Sequence, residues 1–229
     1  MSLPQAVLTI STDVLADINA DERLAFAYAH GPALSGFGDD AELVCVWETD
    51  AVPEGVDGEA VHLTVAEFEG LLDSLMLGEG WEEPDAEALH VIARFAEGTL
   101  LADDSELGSK ARAEVTEFPQ ALADASRTAV ERDSEAIAKR LGQAEDPWEL
   151  AEVLTHGLHR AYVALFAAAG HFFPGREHRR EFVERYLLGD EVPEAEAAVW
   201  AAAELPRAER AEALPEAWRS LTRVVLANC

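Results

Sequence analysis

The residues able to do chemistry gather in one stretch, residues 28–48, which reads YAHGPALSGFGDDAELVCVWE. A loop carrying Gly31, Gly36 and Gly38 separates two apolar, strand-like runs, residues 24–29 and 43–47. Asp40 and Glu42 stand at the mouth of the second run, one residue apart. Side chains alternate along a strand, so positions 40 and 42 point to the same face. Two carboxylates side by side resist ionising together unless a cation lies between them. A hard, oxygen-liganded ion such as Mg²⁺ answers that geometry. Glycines ahead of the pair let backbone N–H groups come close to a phosphate. Glycine loop, then D-x-E opening an apolar strand, is an arrangement for phosphate plus metal.

Around this stretch the pattern predicts the elements that must position it. Residues 11–18 read as a short helix and residues 59–65, EAVHLTV, as a third strand. His62 points away from Val61 and Leu63, as a half-buried strand histidine would. Apolar spacing of three and four predicts helices over 66–77 and 85–96, with a short strand over 99–102. Asp103 and Asp104 follow, and aspartate at that place suits a turn better than a further metal ligand. From Glu114 onward strand signals stop and alanine-rich helical segments run almost to the end. One helix is predicted over 118–141. Asp146-Pro147 then marks a helix start, with aspartate as N-cap and proline at the first helical position. That helix runs to Gly170 with Val153, Leu154, Leu158, Tyr162 and Leu165 along one stripe, the pattern of bundle packing. His156 and His159 lie three apart on it and could share a face, a spacing short of the ligand pattern of a metal site. Final helices are predicted over 195–203 and 207–226. The fold class is therefore α+β: a mixed sheet with helices over residues 1–113, then a helical bundle over 114–229.

Charge narrows the partners. Forty-five acidic residues against 17 basic ones give a net charge of −28, and Lys110 and Lys139 are the only lysines. Such a surface repels nucleic acid and anionic membranes, both of which are held by clustered Lys and Arg. A small cationic or hydroxyl-rich molecule suits an acidic cleft better. Cys45 lies within a predicted buried strand and Cys229 at the chain end, so no structural disulfide is expected. The first residues, MSLPQAVLTI, lack the basic region and long apolar stretch of a signal peptide, and a cytoplasmic protein is expected.

The whole arrangement resembles the nucleotidyltransferase fold of the DNA polymerase beta superfamily, in its small bacterial antibiotic-nucleotidyltransferase-like branch. Gly31-Pro32 stands where that family carries Gly-Ser, and Asp40-Ala41-Glu42-Leu43 stands at its paired carboxylates. Glu59, His62, Thr64 and Val65 match a pattern of Asp, two residues, His, one residue, Thr, Val. Phe172-Phe173-Pro174-Gly175 is similar to the family's aromatic-Pro-Gly turn, with Glu177-His178 where Lys-Trp follows. The resemblance implies that Asp40, Glu42 and Glu59 are the catalytic carboxylates and hold Mg²⁺. It implies that Gly31, Ser35 and Gly36 of the loop bind the phosphates of a nucleoside triphosphate, with Arg176 or Arg179 supplying a basic residue. The implied activity is transfer of a nucleoside monophosphate to a hydroxyl of a small polar acceptor. Proline for serine, a loop shorter than usual and the displaced basic residue imply an alternative, a catalytically degenerate binding or partner module.

Overall fold

In the computed structural model, which describes residues 21–31, 34, 41–54, 60–175 and 179–229, the two apolar runs become β1, Leu24–His30, and β2, Glu42–Trp47. With β3 (Val61–Thr64) and β4 (Thr99–Ala102) they form one sheet in the order β3-β2-β1-β4. β1 runs antiparallel to β2 and β4, and β2 runs parallel to β3. Apart from His30 and Glu42 at one end, the two middle strands are apolar because both of their faces are buried. On one face Phe26 meets Phe68 and Phe95 with ring centroids 5.1 and 5.7 Å away, and Tyr28 meets Phe95 at 5.1 Å. On the other, Ala27, Leu43, Cys45 and Trp47 form a core cluster.

The third strand ends one residue earlier than its apolar pattern predicts, because Thr64 turns the chain into a helix. Its hydroxyl accepts the backbone N–H of Glu67 at 3.2 Å, and the Glu67 carboxylate accepts the backbone N–H of Thr64 at 2.7 Å. This reciprocal capping box opens α1, Val65–Met76, one residue earlier than predicted. α2 spans Glu87–Glu97. A helix not foreseen, α3 (Leu107–Glu114), follows β4. Asp103 is its reason: its carboxylate accepts the backbone N–H groups of Gly108 and Ser109, each at 2.7 Å. Asp103 thus neutralises free donors at a helix start, in keeping with the turn role its sequence position suggests.

The chain divides into two compact units, one holding the sheet with residues up to Ser74 and Glu87–Glu117, the other Leu75–Ala86 and Phe118–Cys229. The second is helical, with α4 (Gln120–Gln143), α5 (Pro147–Ala168), α6 (Arg179–Tyr186), α7 (Glu191–Ala203) and α8 (Arg207–Ala227). α5 opens as predicted, with the Asp146 carboxylate accepting the Trp148 N–H at 3.1 Å. Its buried residues run from Leu150 to Ala167 and include Gly157, which lets the Trp218 ring of α8 lie against the α5 backbone. α6, RREFVERY, is a helix start whose arginines pair with acids, Arg180 with Glu184 at 3.1 Å, and it buries only Phe182 and Val183. Among the described residues no helix is long and apolar enough to cross a membrane.

Candidate functional site

Antiparallel pairing sets His30, the last residue of β1, opposite Glu42, the first residue of β2. Paired residues share a face, so both side chains stand on the face lined by Phe26 and Tyr28, the face on which α2 packs through Phe95. Arg94, in the last turn of α2, reaches over this edge. Its Nη1 donates to Glu42 Oε2 at 2.9 Å, and His30 Nε2 lies 3.0 Å from the same oxygen. The Glu42 side chain is 53% exposed and that of Arg94 34%, whereas His30 is buried.

The electrostatics follow from this placement. Burial, and then the positive charge of Arg94, push the His30 pKa down to about 3, so the imidazole is neutral at any ordinary pH. The attraction that Glu42 would offer an imidazolium is already answered by the guanidinium on the same oxygen. His30 Nε2 makes no hydrogen bond of proper geometry and stands as a buried, unpartnered polar atom beside a carboxylate. Tyr28, deeper on the same face, donates its hydroxyl to the Val91 carbonyl at 3.2 Å, and burial raises its pKa. A carboxylate oxygen and a neutral imidazole nitrogen 3.0 Å apart fit a cation as two neighbouring donors. The cation in contact with Glu42 here is Arg94.

Beyond His30 the chain leaves the strand at Gly31, whose φ of 132° is a conformation that residues with side chains rarely adopt. The Leu34 N–H then donates to the Gly31 carbonyl at 3.1 Å, a turn at the head of the glycine loop. Asp40, Glu59, Ser35, Gly36 and Arg176 lie outside the described residues. Among the described residues no three His, Cys, Asp or Glu side chains gather as metal ligands. The parallel register sets Val61, two residues after Glu59 in the chain, beside Val44, two residues after Glu42.

The other polar residues singled out from sequence take structural parts. His62 accepts the Trp47 indole N–H at 3.2 Å. His156 lies 3.2 Å from Glu83, while His159 is buried and bonds the Trp81 carbonyl at 2.6 Å, so the two histidines serve different partners. Arg179 pairs with Glu196, which also receives the hydroxyl of Tyr162 and, at 2.9 Å, the indole N–H of Trp200. That guanidinium lies over the Tyr162 ring, 5.2 Å from its centroid, and is committed to this cluster rather than free for a phosphate. Sequence reasoning missed His30 and Arg94. His30 was within reach, since pairing two strands across the loop puts position 30 opposite 42. Arg94 carries no local signal, because its partner lies 52 residues away.

A mixed four-stranded sheet with flanking helices, followed by a helical C-terminal region, is an α+β, nucleotidyltransferase-like fold. Its likeness in structure is to a nucleotidyltransferase-like protein from Exiguobacterium sibiricum 255-15, with a TM-score of 0.50 and 13% identity, over 97% of this chain and 75% of that one. At that identity the likeness shows the fold. The chain matches no protein-family model and no curated protein.

Proposed function

We propose that this protein transfers a nucleoside monophosphate from a nucleoside triphosphate to a hydroxyl of a small polar acceptor, with Mg²⁺ held by Asp40, Glu42 and Glu59. The observation that carries this most is the place of Glu42: a half-exposed carboxylate on the first residue of β2, opposite His30, next to a strand end that turns at Gly31. Gly31, Ser35 and Gly36 would cradle the phosphates through backbone N–H groups, and Arg176 would add a charge. The acceptor oxygen attacks the α-phosphorus, the bond to the bridging oxygen breaks, pyrophosphate leaves, and Glu59 takes the hydroxyl proton. Bound Mg²⁺ would supply neutralisation of the charge that builds on the attacking and leaving oxygens.

One observation favours a second function, a degenerate module that binds without turning over: Arg94 already stands in the cation's place at Glu42. Magnitude decides between them. A half-exposed ion pair is worth about 0–1 kcal/mol, little against a dication with several anionic ligands. Thermal melts test binding directly. Mg²⁺ with ATP at about 100 times its Kd should stabilise the protein by roughly 2.7 kcal/mol, and Glu42→Gln should remove most of that. Melts of the wild type indifferent to Mg²⁺-ATP at millimolar concentration would overturn both functions.

A further inference from the structure

Building on the nucleotide site proposed above, we propose that Arg94 is a triphosphate-binding residue that guards Glu42: its guanidinium holds the carboxylate when the site is empty and passes to a phosphate oxygen when Mg²⁺-nucleoside triphosphate enters. Arg94 reaches Glu42 from α2, a separate element, and only its Nη1 is bonded among the described residues. A guanidinium offers five donors in a planar fork that matches two oxygens of a phosphate, and among the described residues only one of them is used. The bond it does make is of the weak, half-exposed kind and is readily exchanged.

Two further features give the exchange its logic. A chain with net charge −28 opposes the approach of a triphosphate, so a cation within reach of the glycine turn is needed even before any metal is counted. And Arg94 and a metal ion compete for one oxygen, Glu42 Oε2, which His30 meets from the buried side. A metal ion on that oxygen would displace the guanidinium and free it for a phosphate oxygen of the nucleotide. The arrangement keeps Glu42 neutralised in the empty site and delivers a positive charge at the moment an anion needs one.

The competition gives the test two effects of opposite sign. Arg94→Met keeps the aliphatic stem and removes the charge, and Arg94→Lys keeps the charge without the fork. Calorimetry with Mn²⁺ alone, no nucleotide present, should show Arg94→Met binding the metal roughly two- to fivefold more tightly than wild type. Titration with Mg²⁺-ATP should show the same variant binding about 10- to 100-fold more weakly, with Arg94→Lys between. A variant that was merely misfolded would weaken both. Wild-type and Arg94→Met proteins that bind Mg²⁺-ATP equally would overturn the role of Arg94 while leaving the nucleotide site standing. A wild type that binds no Mg²⁺-ATP would overturn both together.

Discussion

Replacing Gly157 with alanine sets two effects against each other, and the structure decides which wins. Alanine is the better helix former by about 1 kcal/mol in a helix interior, so on propensity alone the change stabilises α5. The new methyl would lie 2.6 Å from Cη2, 3.1 Å from Cζ2 and 3.2 Å from Cζ3 of Trp218. Restoring ordinary carbon–carbon contact of about 3.5–4.0 Å requires the ring to retreat by roughly 1 Å. It has nowhere to go: Trp218 is 1% exposed and its indole N–H is bonded to the Ser134 carbonyl at 3.2 Å. Overpacking of this kind costs about 1–3 kcal/mol, so after the propensity gain a net loss of up to about 2 kcal/mol is expected, or a melting temperature lower by up to roughly 8 °C. A cycle with Trp218→Phe isolates the cause. Phenylalanine shortens the ring, and in that background Gly157→Ala should be neutral or stabilising, a coupling of about 1–3 kcal/mol. Denaturant unfolding of the four proteins measures it. If Gly157→Ala raises the stability of the wild type by its full helix-propensity gain, the close α5–α8 packing described here is wrong.

Three further outcomes are expected. The acidic surface repels itself, so the melting temperature should climb as monovalent salt rises from about 0.01 to 1 M and the Debye length falls from about 30 to 3 Å; a flat or falling melting temperature would contradict that. Thr64→Ala should cost about 1 kcal/mol through loss of the α1 cap. Glu67 adds a pH signature: the two Thr64 donors hold its carboxyl below the ordinary value of 4.5. A depressed folded pKa gives stability that is complete above the unfolded value and lost as pH falls through the folded one. The advantage of wild type over Glu67→Gln should therefore shrink between pH 7 and about pH 3.5, and a constant difference in unfolding free energy would remove Glu67 from the cap.

Much of the fold is legible in the chain because its signals are local. The unbroken apolar runs at 24–29 and 43–47 read as strands buried on both faces, and Asp146-Pro147 announces α5 with a cap and a preset φ. The change from strand-bearing to helical sequence after Ala102 is equally plain. What local pattern could not show depends on partners. Val65 looks like one more strand residue until Thr64 and Glu67 are seen to close on each other. α3 is held by a carboxylate that precedes it. At the candidate site the D-x-E spacing pointed to Glu42. The guanidinium that meets it comes from another element, and no spacing rule links positions 42 and 94.

The proposed activity stands or falls on release of pyrophosphate. Purified protein with Mg²⁺ and each nucleoside triphosphate, screened against a panel of aminoglycosides and other polyols, should release pyrophosphate with at least one acceptor. Glu59→Gln keeps the size of that side chain and removes its charge, so the fold should persist while turnover falls by about 100-fold or more. Pyrophosphate released by the wild type and lost in Glu59→Gln is the predicted result. No pyrophosphate with any acceptor would contradict a transferase, and turnover undiminished in Glu59→Gln would take Glu59 out of the site.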